Sequence, residues 1–132
     1  MGSTYWRLLR RTDLDQTLYA QIHMSKILYI VECTVTYATL EKDWLEWMTN
    51  EHIPQILKCG ALKADIFLMD KDGIDTPMKT YEIHYHFDSR ADFETYMNQH
   101  ATKLRHEGLE KFPVSDGFHY KRRAGICTAM FT

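Results

Sequence analysis

Histidines set close to carboxylates are the residues of this 132-residue chain with the most chemistry to offer, and it holds seven of them. Imidazole titrates near neutral pH, so it can accept or release a proton where most side chains cannot. The first candidate is Glu51-His52-Ile53-Pro54. Proline lacks an N–H and clashes with the preceding turn, so the segment predicts a helix break near Asn50–Ile53. A histidine at such a break can point into a cleft or cap a carbonyl. The bland reading is a hinge residue that fixes the turn toward Gly60.

The second candidate is the run 78–87, MKTYEIHYHF, where His84 and His86 stand two residues apart and share a strand face. With His119 and either Glu32 or Glu82 from neighbouring strands, a 2-His-1-carboxylate set is conceivable. The competing reading is a polar sheet face buried in a dimer, with the histidines hydrogen-bonded across it. Such spacing is common on exposed strands, so no metal is assigned. His52 and His84 are therefore the catalytic candidates, as bases oriented by Glu32 or Glu82, and Glu32, Glu51, Glu82, His86 and His119 are the binding candidates. No cofactor is assigned.

Other motifs read as structure. Trp44, Trp47 and Met48 suit one apolar helix face, and Lys121-Arg122-Arg123 divides between two strand faces, with Arg122 on the helix side, so it makes no phosphate track. Ser89 and Ser115 lack a nucleophile elbow, and no glycine-rich phosphate loop is present.

These residues need elements to hold them. The β-branched and aromatic stretch 27–36 predicts a first strand, and Thr39 a cap for the helix that follows. A short turn from Pro54 to Lys58 ends at Gly60, residues 61–69 form a second strand, and 78–87 a third after a loop marked by Asp72-Gly73. Asp88 or Ser89 caps a second helix with the stripe Phe93, Tyr96, Met97, Ala101 and Leu104. Gly108 is expected to close it in the left-handed conformation, with Leu109 folding back on Leu104. A last strand covers 117–124.

The order is βαββαβ: an α+β, ferredoxin-like fold with a four-stranded antiparallel sheet and two helices on one face. Parity sends Tyr29, Val31, Cys33, Val35, Ile83, Tyr85, Phe118 and Tyr120 toward the helices. It leaves Glu32, Thr34, Glu82, His84, His86, His119 and Lys121 on the open face, joined by Lys63, Asp65 and Phe67 if the register holds.

Two segments, W-x-x-W-M-x-x-E-H-I-P from Trp44 and D-S-R-x-D-x-E-x-Y from Asp88, carry a resemblance to the uncharacterised bacterial domain-of-unknown-function family DUF 4286. It spans about residues 27–124 and brings no known activity. More loosely, the helix–His-x-Pro–Gly pattern is similar to the dimeric α/β-barrel superfamily. That resemblance implies two sheets packed open face to open face around a pocket, among proteins that include small monooxygenases, isomerases and ligand sensors. The implied partner is a second copy of the chain, and the implied ligand is a small organic molecule. If chemistry occurs, it would be cofactor-independent proton transfer or oxygenation. A non-catalytic homodimeric interaction module stands as the alternative.

Composition bounds the rest. With 45% hydrophobic and 26% charged residues the chain reads as one globular domain, and its net charge of -2 supplies no field to attract nucleic acid or anionic lipid. An RNA-recognition domain has the same strand order, but it stacks bases on open-face aromatics where this chain has Glu32, Thr34, Glu82, His84 and His86. No membrane span is expected. Cys33, Cys59 and Cys127 stand singly, as in a reducing, cytoplasmic setting, with Cys33 a core residue. Residues 1–26 have Arg7, Arg10 and Arg11 but no apolar run long enough for a signal peptide. They read as an arm on the 27–124 domain, or as a segment before a start at Met24, and residues 125–132 read as a tail.

Overall fold

The computed structural model describes residues 16–18, 20–21, 24–70 and 76–132. β1 (Ile27–Val35) leads into a helical stretch composed of α1 (Ala38–Trp47), a π-turn (Met48–His52) and α2 (Ile53–Lys58). β2 (Lys63–Met69) and β3 (Lys79–Phe87) follow, then a second stretch of α3 (Arg90–Tyr96), a π-turn (Met97–Ala101) and α4 (Thr102–Lys111). A short 3-10 turn, Val114–Asp116, precedes β4 (Phe118–Ile126). The strands form one antiparallel sheet in the order β2-β3-β1-β4. This is the ferredoxin-like α+β fold that the element order implies.

Period-two alternation in the strands sorts residues to two faces, as parity requires. Tyr29, Cys33, Val35, Ile83, Tyr85 and Phe118 are buried beneath the helices, which return Trp44, Met48, Ile56, Tyr96 and Leu104. Ring contacts knit the layers: Trp44 meets Tyr81 at 5.2 Å, Tyr29 meets Phe93 at 5.3 Å, and Phe112 meets Phe118 at 5.1 Å.

Several local expectations need correction. The first helix begins at Ala38 after an extended Tyr37, so Thr39 lies inside it and caps nothing. Pro54 does not break the chain's course. The Ile53 N–H reaches back five residues to the Met48 carbonyl, and this wider turn admits the ring with both flanking segments still helical. Gly108 does not end the second stretch, which runs on to Lys111 with Leu109 exposed; a Cβ at this position would stand 3.5 Å from the Trp47 ring, an ordinary contact. Gly60 does take a left-handed conformation, with φ 124°. Ser89 is the cap of α3, accepting from the Asp92 N–H at 3.1 Å.

The π-turns have a common geometric effect. A helix turns about 100° per residue, so a stripe repeating every four residues drifts ~40° each time. Over 12 residues that drift is ~120°, and one extra residue in a π-turn cancels most of it. Trp44, Met48, His52 and Ile56 can thus all face the sheet side, as can Tyr96, Leu104 and Gly108 on the second stretch.

Candidate functional site

The pairing registers fix the open face as rows across β2, β3, β1 and β4. One row is Phe67, Glu82, Glu32 and Lys121; the next is Asp65, His84, Ile30 and Arg123; the third is Lys63, His86, Leu28 and Gly125. The expected register of Lys63, Asp65 and Phe67 therefore holds. At the centre, the Glu82 carboxylate accepts from His84 Nε2 at 2.9 Å and from Arg123 Nη2 at 3.1 Å. Glu82 is only 8% exposed although it lies on the uncovered side of the sheet.

These two donors hold the Glu82 carboxyl below the usual glutamate range, the His84 hydrogen bond contributing most. Burial acts against them, second in size to the His84 hydrogen bond, and is outweighed by the two donors together. Glu82 also fixes the His84 tautomer: a proton on Nε2 leaves Nδ1 as the free acceptor. Beside them, the Phe67 ring lies 4.8 Å from the His84 ring and is 45% exposed.

Of the residues singled out from sequence, Glu32, Glu82, His84, His86 and His119 share this face. Glu82 and His84 are hydrogen-bonded to each other. His86 is drawn instead to Asp65, 3.4 Å away on β2. The two imidazoles thus serve different carboxylates, and among the described residues no group of three or more histidine, cysteine or acidic side chains converges on a metal-sized point.

His52 and Glu51 lie on the other side of the sheet. Glu51 is on the helix surface, 3.8 Å from Lys111. His52 stacks on Trp47 at 4.6 Å and lines a cavity enclosed by both helical stretches and the sheet. Burial, aided by the charge of Arg122, lowers its pKa to about 4, so the ring is neutral at pH 7. Burial pushes the Cys33 thiol up to about 12 against the opposing pull of Tyr120 and Arg122, which leaves it inert as a nucleophile. Arg122 and Arg105 also line this cavity. From sequence, Arg122 falls on the helix side and marks where the strand leaves the core, whereas Arg105, a cation beside the apolar stripe of the second helix, was not singled out.

Comparison with known proteins agrees with the fold. The profile of the family described as "Domain of unknown function (DUF4286)" matches residues 26–122. No curated protein matches the chain. A dimeric ferredoxin-like protein from an uncultured marine organism is similar in structure, with a TM-score of 0.54 and 13% identity over 81% of this chain and 99% of that one. An ethyl tert-butyl ether D (EthD) family protein from Bacillus halodurans superposes with a TM-score of 0.52 and 13% identity over 74% of this chain and 96% of the other. At such identity the likeness is one of fold. Among the described residues no helix is long and apolar enough to cross a membrane.

Proposed function

This chain belongs to the DUF4286 family, and from that premise we propose that it acts as a homodimer, joined through the open sheet face, that binds a small organic ligand between its sheets. The observation that carries the proposal is the centre of that face. A shielded carboxylate with two fixed cationic or donor partners stands there beside Ile30 and the half-exposed Phe67. An apolar surface with a few oriented polar groups is the usual make-up of a small-molecule site, once a second layer excludes water. That the marine neighbour is described as dimeric supports this mode of assembly.

If the site does chemistry, His84 is its base, with Nδ1 toward the substrate and Glu82 orienting the ring. A second reading is favoured by the pairing itself. Glu82 with His84 and Arg123, His86 with Asp65, and the hydroxyls of Thr34 and Thr80 are satisfied within one protomer. A face with so little unmet demand also suits a filled interface, and then the protein is a non-catalytic interaction module.

Light scattering tests the assembly. The expected mass is twice the protomer's 15.7 kDa, and Ile30→Asp, which puts a charge at the centre of the face, should give a folded monomer. A wild-type monomer at micromolar concentration would rule out the facing-sheet compartment. Ligand-observed NMR of a fragment library then separates the readings. Hits on the wild type that vanish in His84→Gln support the compartment, and their absence in a proven dimer leaves the interaction module.

A further inference from the structure

The cavity behind the sheet, between the two helical stretches, has a wall that lacks partners. The Trp44 indole N–H, the Arg105 Nε–H and His52 Nδ1 are all buried without a hydrogen bond to any protein group, and all three residues line this cavity. Trp44 is wholly shielded from solvent, and its N–H lies beside the Tyr120 hydroxyl without making a hydrogen bond of normal geometry to it. Unsatisfied buried donors are rare because each carries a desolvation cost, and two around one space, with an unpartnered imidazole nitrogen beside them, imply something that accepts from them.

The charge of the wall says what that is. Two guanidinium groups line it, from Arg105 and Arg122, and no aspartate or glutamate does. Arg105 is steadied by donating to the Tyr29 hydroxyl at 2.9 Å, and Arg122 lies 5.8 Å from the Tyr120 ring at the exposed rim. The room for the centres of water-sized molecules is about 40 Å3. At roughly 10–15 Å3 for each small molecule's centre, that is space for about three or four non-hydrogen atoms. Both helical π-turns lie at this level and bring Met48, His52 and Leu104 to the wall; π-turns recur at functional sites.

We propose that this cavity is a binding site for a small oxyanion or carboxylate of three or four heavy atoms, held by the Trp44 and Arg105 N–H groups and by the Arg122 guanidinium. It is separate from the open face and does not depend on dimerisation. In its Nδ1–H tautomer a neutral His52 adds a further donor to the same wall.

The test is an NMR titration of the full chain with sodium formate and sodium nitrate, following the Trp44 indole N–H, at ionic strength held constant with gluconate, which is too large to enter. Saturable shifts with a dissociation constant of roughly millimolar order are expected for so few atoms. Formamide, of the same size and uncharged, should bind at least about ten-fold more weakly, as should formate to Arg122→Ala, because hydrogen bonds to charged groups carry that difference. Arg122 is exposed, so its removal leaves the core intact, and the wild-type titration needs no variant at all. Three results would each overturn the proposal: a linear, unsaturated response, equal affinity for formate and formamide, or unchanged affinity in Arg122→Ala. The first would leave the space to water alone.

Discussion

Replacing Gly108 with alanine distinguishes two descriptions of the second helix by the sign of the effect. If Gly108 closed the helix in a left-handed conformation, alanine would cost about 1–2 kcal/mol. It lies instead within α4, where alanine is better than glycine by about 0.8–1 kcal/mol. The added methyl would stand 3.5 Å from the Trp47 ring, an ordinary van der Waals contact, so no clash offsets the gain. Gly108→Ala should therefore be stabilising by about 1 kcal/mol. For a domain of this size that raises Tm by roughly 4–6 °C. In urea the midpoint should rise by about 0.5 M at unchanged slope. Gly117→Ala is the contrasting control: φ is 88°, and a Cβ would come within 2.8 Å of the Tyr37 ring and 2.9 Å of Thr36. It should lose more than about 1 kcal/mol. A midpoint for Gly108→Ala at or below the wild type's would refute the interior-helix account and the spacing to Trp47.

Other outcomes follow from the same contacts. Because His52 is held neutral, the unfolded chain binds the proton more readily, so stability should decline as pH falls from about 6.5 toward about 4. His52→Gln should lack that decline in urea midpoints measured across the range, with Arg122, Arg105 and Trp47 its unchanged surroundings; identical slopes would show that the ring is already solvated. Glu82 has the same sign for a different reason. Its carboxylate is favoured by folding, so its contribution exists above the ordinary glutamate range and disappears as pH falls through the depressed value. Glu82→Gln should be about 1 kcal/mol less stable near neutrality and indistinguishable from wild type near pH 2, and a gap persisting in acid would count against the ion-pair account. On the proposed dimer face, lowering the pH should change the association equilibrium, because charge added to a shared interior is felt by both protomers. Replacing both His84 and His86 with glutamine should flatten that response; superimposable dissociation curves would place the rings in bulk solvent. Deleting residues 1–23, most of which lie outside the described residues, should leave Tm nearly unchanged, and a loss of more than several degrees would show that the segment docks on the domain.

The sheet was legible because period-two alternation is a local signal. MKTYEIHYHF alone sorts Tyr81, Ile83 and Tyr85 from Glu82, His84 and His86, and the observed registers place both sets as that alternation requires. Juxtaposition of Glu82 with His84 follows from two residues on one strand, whereas Arg123 joins them only through the β1–β4 register and could not be read locally. The helices were less transparent. Proline and glycine usually mark ends, but Pro54 sits beside a widened turn and Gly108 lies inside a continuing helix. A cleft at His52 was one of two readings of the break, but its lining could not be named for that reason. Its signal was present as Trp44, Met48, His52 and Ile56 at uniform intervals of four, which no straight α-helix keeps on one side for long.

Each π-turn also gives the chain a length at which it can be edited. A widened turn is what a regular helix becomes when it absorbs one inserted residue without passing the disturbance along its axis. Shortening Met48–His52 by one position would restore ordinary hydrogen bonding, yet it would rotate everything downstream by about 100°. Ile56 would swing out of the core, and the approach to β2 would be misdirected. The same holds for Leu104 beyond Met97–Ala101. Single-residue gaps in these two segments should therefore be rarer among functional relatives than substitutions, and where one gap occurs a compensating insertion should lie within the same helix.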